Sequence, residues 1–136
     1  MFAREIRLVR GQALVLVHND PALRTMMARA IAKAYGAHEE ATAAAVLDSG
    51  TDSFTAWMRK QLNTLVLDGT PTTPPGLNRI KAAITNDRMV LAAGQGLVEI
   101  TPPNFIFCTG RADWLPKDAS QRRYRVVQVA DLELAA

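Results

Sequence analysis

The chain has 136 residues, 49% apolar and 21% charged, with a formal charge of +3. A chain of this length folds as one domain and takes roughly two thirds of its unfolded surface out of water, and its composition excludes disorder, collagen-like repetition and a disulfide scaffold. Cys108 is the one cysteine, His18 and His38 are not at metal-ligand spacing, and no apolar run is long enough to cross a bilayer, so neither a metal site nor a membrane partner is expected.

No repeat, low-complexity run or polar linker divides the chain, so residues 1–136 read as a single domain. The first seven residues lack the apolar centre of a signal peptide, and a cytoplasmic protein is expected. Ala13–Val17 is a continuous apolar run, the pattern of a strand covered on both faces. Asp20 and Pro21 form a helix start for Ala22–Tyr35, where Leu23, Met27, Ile31 and Ala34 recur at helical spacing and Gly36 ends the run. Ala43–Leu47 reads as a short strand. Ser53 then caps a helix through Thr55–Gln61, with Phe54, Trp57, Met58 and Leu62 inward. Thr64–Asp68 is a buried strand ending in an acid, Thr70–Pro75 is a loop, and Gly76–Thr85 is a helix with Leu77, Ile80 and Ile84 inward. Met89–Leu91 and Leu97–Ile100 bracket a hairpin turn. Asn104–Cys108 and Tyr124–Val129 are two further strands. Alternating strands and helices make this an α/β, three-layer domain with a mostly parallel central sheet and a β-hairpin insertion.

The first strand–turn–helix is the informative place, because a helix N-terminus after a parallel strand is where phosphate is bound. A nucleotide-binding loop has Gly, four residues, Gly, Lys, then Ser or Thr: backbone amides wrap the phosphates, the lysine meets the β and γ phosphates, and the hydroxyl meets magnesium. In that register this chain has His18, Leu23, Arg24 and Thr25. Spacing survives, but both glycines are gone, Asp20 adds a negative charge and Pro21 removes an amide. Thr64–Asp68 stands where a second nucleotide motif would hold magnesium, with Gly69 in place of its second acid.

Large apolar residues at helical spacing, including Met26, Met27, Trp57, Met58 and Trp114, read as packing, and Cys108 as an inert buried thiol. His18 reads as a strand end with local hydrogen bonds. The basic residues are twelve arginines and four lysines, a bias that suits phosphate contacts and equally a GC-rich genome. Arg122, Arg123 and Arg125 read equally well as a solvated basic edge.

The stretch from Ile80 through Val90 to Gly94, then Pro103–Gly110, then Asp113–Pro116 and Gln121–Tyr124, resembles the C-terminal part of superfamily 3 helicase domains, in particular the primase-helicases and virulence-associated E proteins of phages and mobile elements. The resemblance covers most of the chain. It implies a P-loop NTPase-like, AAA+-like core working in a ring, with ATP between subunits and DNA in the central pore. Carried over by position, Arg24 and Thr25 would face phosphate and magnesium, Asp68 would be the remaining metal acid, and Gly110 stands at the polar γ-phosphate sensor. Arg122 and Arg123 match paired arginines, one of which acts on a neighbouring subunit's ATP. The Met89–Ile100 hairpin would track DNA, with Arg88, Ala93 and Gln95 as candidates and Ala93 at the position of its basic tip.

The departures share a direction. Without the loop glycines, the second acid, the sensor and the hairpin lysine, ATP turnover is not expected, since each lost preorganised polar group costs about 3 kcal/mol in the transition state. The expectation is a pseudo-ATPase with no required cofactor, acting by self-association or by binding a replication helicase. Two alternatives stand beside it: a weak ATPase using Arg24, Thr25 and Asp68 with ATP and magnesium, and a DNA-binding module using the arginine-rich edge and the hairpin.

Overall fold

The computed structural model describes residues 6–115 and 122–130. Strands β1 (Ala13–Val17), β2 (His38–Thr42), β3 (Thr64–Asp68), β6 (Asn104–Thr109) and β7 (Tyr124–Gln128) form one sheet in the order β2-β3-β6-β1-β7, every neighbouring pair parallel. Strands β4 (Met89–Ala93) and β5 (Gly96–Ile100) form a separate antiparallel hairpin. The α/β class, the central parallel sheet and the hairpin are as read from the sequence.

The period-2 alternation of each central strand sorts its side chains into two cores. Leu14, Leu16, Val66, Ile106 and Cys108 face helix α1 (Pro21–Lys33) through Met27, Ala28, Ile31 and Ala32. Ala13, Val15, Val17, Leu65, Leu67, Phe105 and Phe107 face the opposite layer of α2 (Ala43–Leu47), α3 (Thr51–Met58) and α4 (Pro74–Thr85), with Met89, Leu91 and Val98 of the hairpin packed against that layer. The central strands are thus buried on both faces, which is why β1 and β3 read as unbroken apolar runs. No helix among the described residues is long and apolar enough to cross a membrane.

Several boundaries differ from the sequence reading. Ala43–Leu47 is helical, capped by Thr42, whose hydroxyl accepts from Ala45 N at 3.1 Å, and the strand lies just before it in the polar segment His38–Thr42. Helix α3 begins at Thr51 after Gly50 (φ +95°), and Ser53 sits inside it, donating to Ala45 O at 2.6 Å instead of capping. Pro74 and Pro75 belong to the first turn of α4, where a missing amide costs nothing, and Thr73 is the cap. In α1 the buried alanines are Ala28 and Ala32, while Ala34 is the exposed C-cap, and Met26 is 57% exposed rather than packed. Gly36 adopts φ +108°, and a Cβ there would meet the Asn63 amide at 3.0 Å, so glycine is required on both counts.

Candidate functional site

Because the sheet is parallel, the carboxyl ends of β1, β3 and β6 lie together, and they bring His18, Asp68 and Gly110 to one edge beside the start of α1. His18 N extends the ladder by donating to Thr109 O at 3.1 Å. Strands β1 and β3 are separated by β6, about 10 Å apart at the usual strand spacing, and the Arg24 side chain spans that gap. Its Nη1 donates to His18 O at 2.8 Å, and its Nη2 lies 3.8 Å from Asp68 Oδ1. The Arg24 side chain is only 14% exposed, whereas that of Asp68 is 61% exposed. Gly110 lies against this guanidinium: a Cβ there would stand in ordinary contact with Arg24 Nη1, at 3.7 Å. Arg24 Nε is buried without a hydrogen-bond partner among the described residues.

Three of the loop's amides are engaged internally. Asp20 N donates to His18 Nδ1 at 2.9 Å, Pro21 has no N–H, Ala22 N donates to Asp20 Oδ1 at 3.0 Å, and Arg24 N donates to Asp20 O at 3.2 Å. The helix N-terminus that would attract phosphate is therefore already capped by a carboxylate. Leu23 is half-buried against the α1 core and Thr25 is half-buried. Cys108, next to this edge, is 1% exposed; burial, with the nearby Asp68 charge, pushes its thiol up to about 12.

The remaining candidates lie elsewhere. Arg122 and Arg123 precede β7, whose Tyr124 pairs with Ala13 at the start of β1, so the arginines stand at the amino end of the sheet, about 16 Å along β1 from the Arg24 edge. Gln12 Nε2 donates to Arg122 O at 3.0 Å; Arg122 is exposed and Arg123 half-buried. On the hairpin, Arg88 pairs with Glu99 at 3.1 Å, Gln95 is exposed in the turn, and the side chain of Ala93 lies outside the described residues. The hairpin's outward face is mixed: Val90 is 62% and Leu97 77% exposed, and Glu99, opposite Val90, holds Arg88 there.

The same architecture is found in a solved protein. A structure titled "The A form apo structure of NrS-1 C terminal region-CTR" superposes with a TM-score of 0.56 at 19% sequence identity, covering 88% of this chain and 29% of that one. The two share a fold. This chain thus corresponds to less than a third of its structural neighbour's length. No family model matches the sequence, and no curated protein matches it.

One residue beside this edge was missed by the motif reading. Asp48, just after α2, accepts hydrogen bonds from Thr72 N (2.8 Å), Thr72 Oγ1 (3.0 Å), Thr73 N (3.3 Å) and Thr73 Oγ1 (2.7 Å), and so ties the loop that follows Asp68, and with it the start of α4, to the end of α2. Burial alone pushes the Asp48 carboxyl up, but these four bonds outweigh it and hold it below its usual value. The signal available in sequence was the Thr73-Pro74-Pro75-Gly76 helix start, which marks a cap but not its distant aspartate. Among the described residues, no group of three or more His, Cys, Asp or Glu could hold a metal ion.

Proposed function

We propose that this chain is a phage replication-helicase-like domain of P-loop type, without ATPase activity of its own, acting by assembly with itself or with a replication helicase. Its fold likeness to the C-terminal region of NrS-1, a phage primase-helicase, supports the replication setting. The observation that carries the reading is the Arg24 edge: the cation, the acid and three of the loop amides that a nucleotide would need are engaged within the chain. Binding ATP with magnesium would require Arg24 to leave His18 O, Asp68 to exchange it for a metal, and Asp20 to give up the α1 N-terminus to phosphates of the same charge. Nothing at Gly69 or Gly110 would then orient water or sense the γ-phosphate.

The placement of Arg122 and Arg123 at the opposite end of the sheet supports an action in trans, since neither can serve the edge of its own chain. The Arg88–Glu99 pair, which neutralises the cation on the hairpin's outward face, and the exposed apolar Val90 and Leu97 beside it count against a hairpin that grips DNA phosphates. The test is phosphate release from ATP by the purified chain, with and without single-stranded DNA. The proposal expects a rate equal to that of the Asp68→Ala variant; turnover lost on substituting Arg24 or Asp68 would overturn it.

A further inference from the structure

At the amino end of the sheet, on the side away from Arg24, a cleft of about 300 Å³ opens between the end of α1, the α3–β3 loop and the β5–β6 loop. Its size is at the lower end of small-ligand sites. Arg10, Tyr35, Gln61, Asn63, Pro102 and Asn104 line it, so three carboxamides, a proline and one cation border the space together with Tyr35, whose ring packs against the α1-side core and whose hydroxyl accepts from Leu8 N at 2.9 Å. Part of this wall is fixed: Asn63 Nδ2 donates to Tyr35 O at 2.7 Å, Asn104 Nδ2 to Asn63 O at 3.3 Å, and Arg10 Nη1 to Pro102 O at 2.9 Å. Gln61 is different. It is exposed, and its side-chain amide makes no hydrogen bond to another described residue. It is also the only described non-glycine residue with positive φ, at +52°, in the turn that closes α3. Glycine is the inexpensive residue for that conformation, yet this position, which borders the cleft, holds a glutamine.

We infer that this cleft takes a nucleobase, from a free nucleotide or from a single strand. A planar base needs flat apolar walls together with groups that can donate and accept at once, and carboxamides supply the latter; Arg10 is the one charged residue lining the cleft, its Nη1 on Pro102 O at 2.9 Å and its Nη2 on Asp87 O at 3.4 Å. The site is separate from the Arg24 edge and uses neither a triphosphate nor magnesium, so it stands or falls independently of the pseudo-ATPase reading.

The experiment is calorimetric titration of the whole chain with adenosine monophosphate, inorganic phosphate and short single-stranded oligonucleotides, repeated on Gln61→Gly with a thermal melt of each protein. The monophosphate and the oligonucleotides should bind and inorganic phosphate should not. Gln61→Gly should weaken binding at least about fivefold, the size of one lost amide–base contact, while melting no lower than the wild type, because glycine relieves the backbone. Affinity that rises with oligonucleotide length identifies a strand as the source, and equal affinity for the monophosphate identifies a free nucleotide. No binding at millimolar concentrations, or binding that Gln61→Gly leaves unchanged, overturns the assignment.

Discussion

The Asp48 clasp makes a quantitative prediction through Gly76. A Cβ at Gly76 would lie 2.0 Å from Asp48 Oδ1 and 3.0 Å from Thr73 Oγ1, which itself caps α4 by accepting from Gly76 N at 3.0 Å. A carboxylate can usually swing away from an added methyl group, but this one is held by four hydrogen bonds from Thr72 and Thr73 and cannot move without releasing them. Hydrogen bonds to a charged group are each worth about 1.5–3 kcal/mol, and partial exposure favours the low end; losing two costs roughly 3 kcal/mol. Replacing glycine by alanine in a helix returns at most about 1 kcal/mol, so Gly76→Ala should destabilise the chain by about 2 kcal/mol. In an Asp48→Ala background the main obstruction is gone and Thr73 Oγ1, at 3.0 Å, is released from Asp48 to give by a few tenths of an ångström, so the same substitution should cost less than about 0.5 kcal/mol or stabilise by up to about 1 kcal/mol. Urea unfolding of the four proteins, followed by circular dichroism, measures both steps. A cost for Gly76→Ala that is the same with and without Asp48 would refute the clasp. Acid adds a second readout. Because the folded carboxyl is held below its usual value, its contribution is present in full above about pH 4 and is lost as pH falls through the lowered folded value. The stability gap between wild type and Asp48→Ala should therefore narrow below pH 4.

Three further outcomes are expected. Arg24→Ala should cost about 2 kcal/mol of stability, chiefly the charge-assisted bond to His18 O, since a contact at 3.8 Å to an exposed carboxylate adds less than about 1 kcal/mol; an unchanged urea midpoint would show that the guanidinium does not hold the edge together. Arg122→Ala with Arg123→Ala should leave the fold intact and lower the rate of an active ATPase with which the chain co-assembles, and an unaffected rate in the mixture would remove the trans reading. Cys108, buried and with its thiol pushed up to about 12, should resist a thiol reagent at pH 8 until the chain is unfolded, so prompt labelling of the native protein would contradict the burial of β6.

The parts legible in the sequence were those where local chemistry and tertiary placement agree. Ala13–Val17 and Thr64–Leu67 are apolar throughout because helices cover both faces of the sheet, and Asp20-Pro21 caps α1 as its residue types require. The segment His38–Leu47 was misread for a physical reason. Strand β2 lies at the sheet edge, where Glu39 and Glu40 pair with Lys60 and Arg29, so it carries no apolar alternation, while the five apolar residues after it suit a short helix as well as a strand. For the site, motif spacing pointed to His18, Arg24 and Asp68 and the helicase resemblance to Gly110, and the parallel sheet gathers these four at one edge. That Arg24 would turn onto His18 O and Asp68 depends on the register of three strands far apart in sequence, and no local pattern encodes it. The cleft around Gln61 was invisible for the same reason, as its walls come from four separated segments and its one local anomaly is a backbone angle.

The measurement that bears most directly on the account is calorimetric titration of ATP, with and without magnesium, into the wild type and Asp68→Ala. The account predicts no binding that depends on the triphosphate or on magnesium: ATP should bind no more tightly than the monophosphate, and equally in both proteins. Micromolar affinity for ATP that requires magnesium and disappears in Asp68→Ala would contradict it, because Arg24 and Asp68 would then be serving a nucleotide rather than each other.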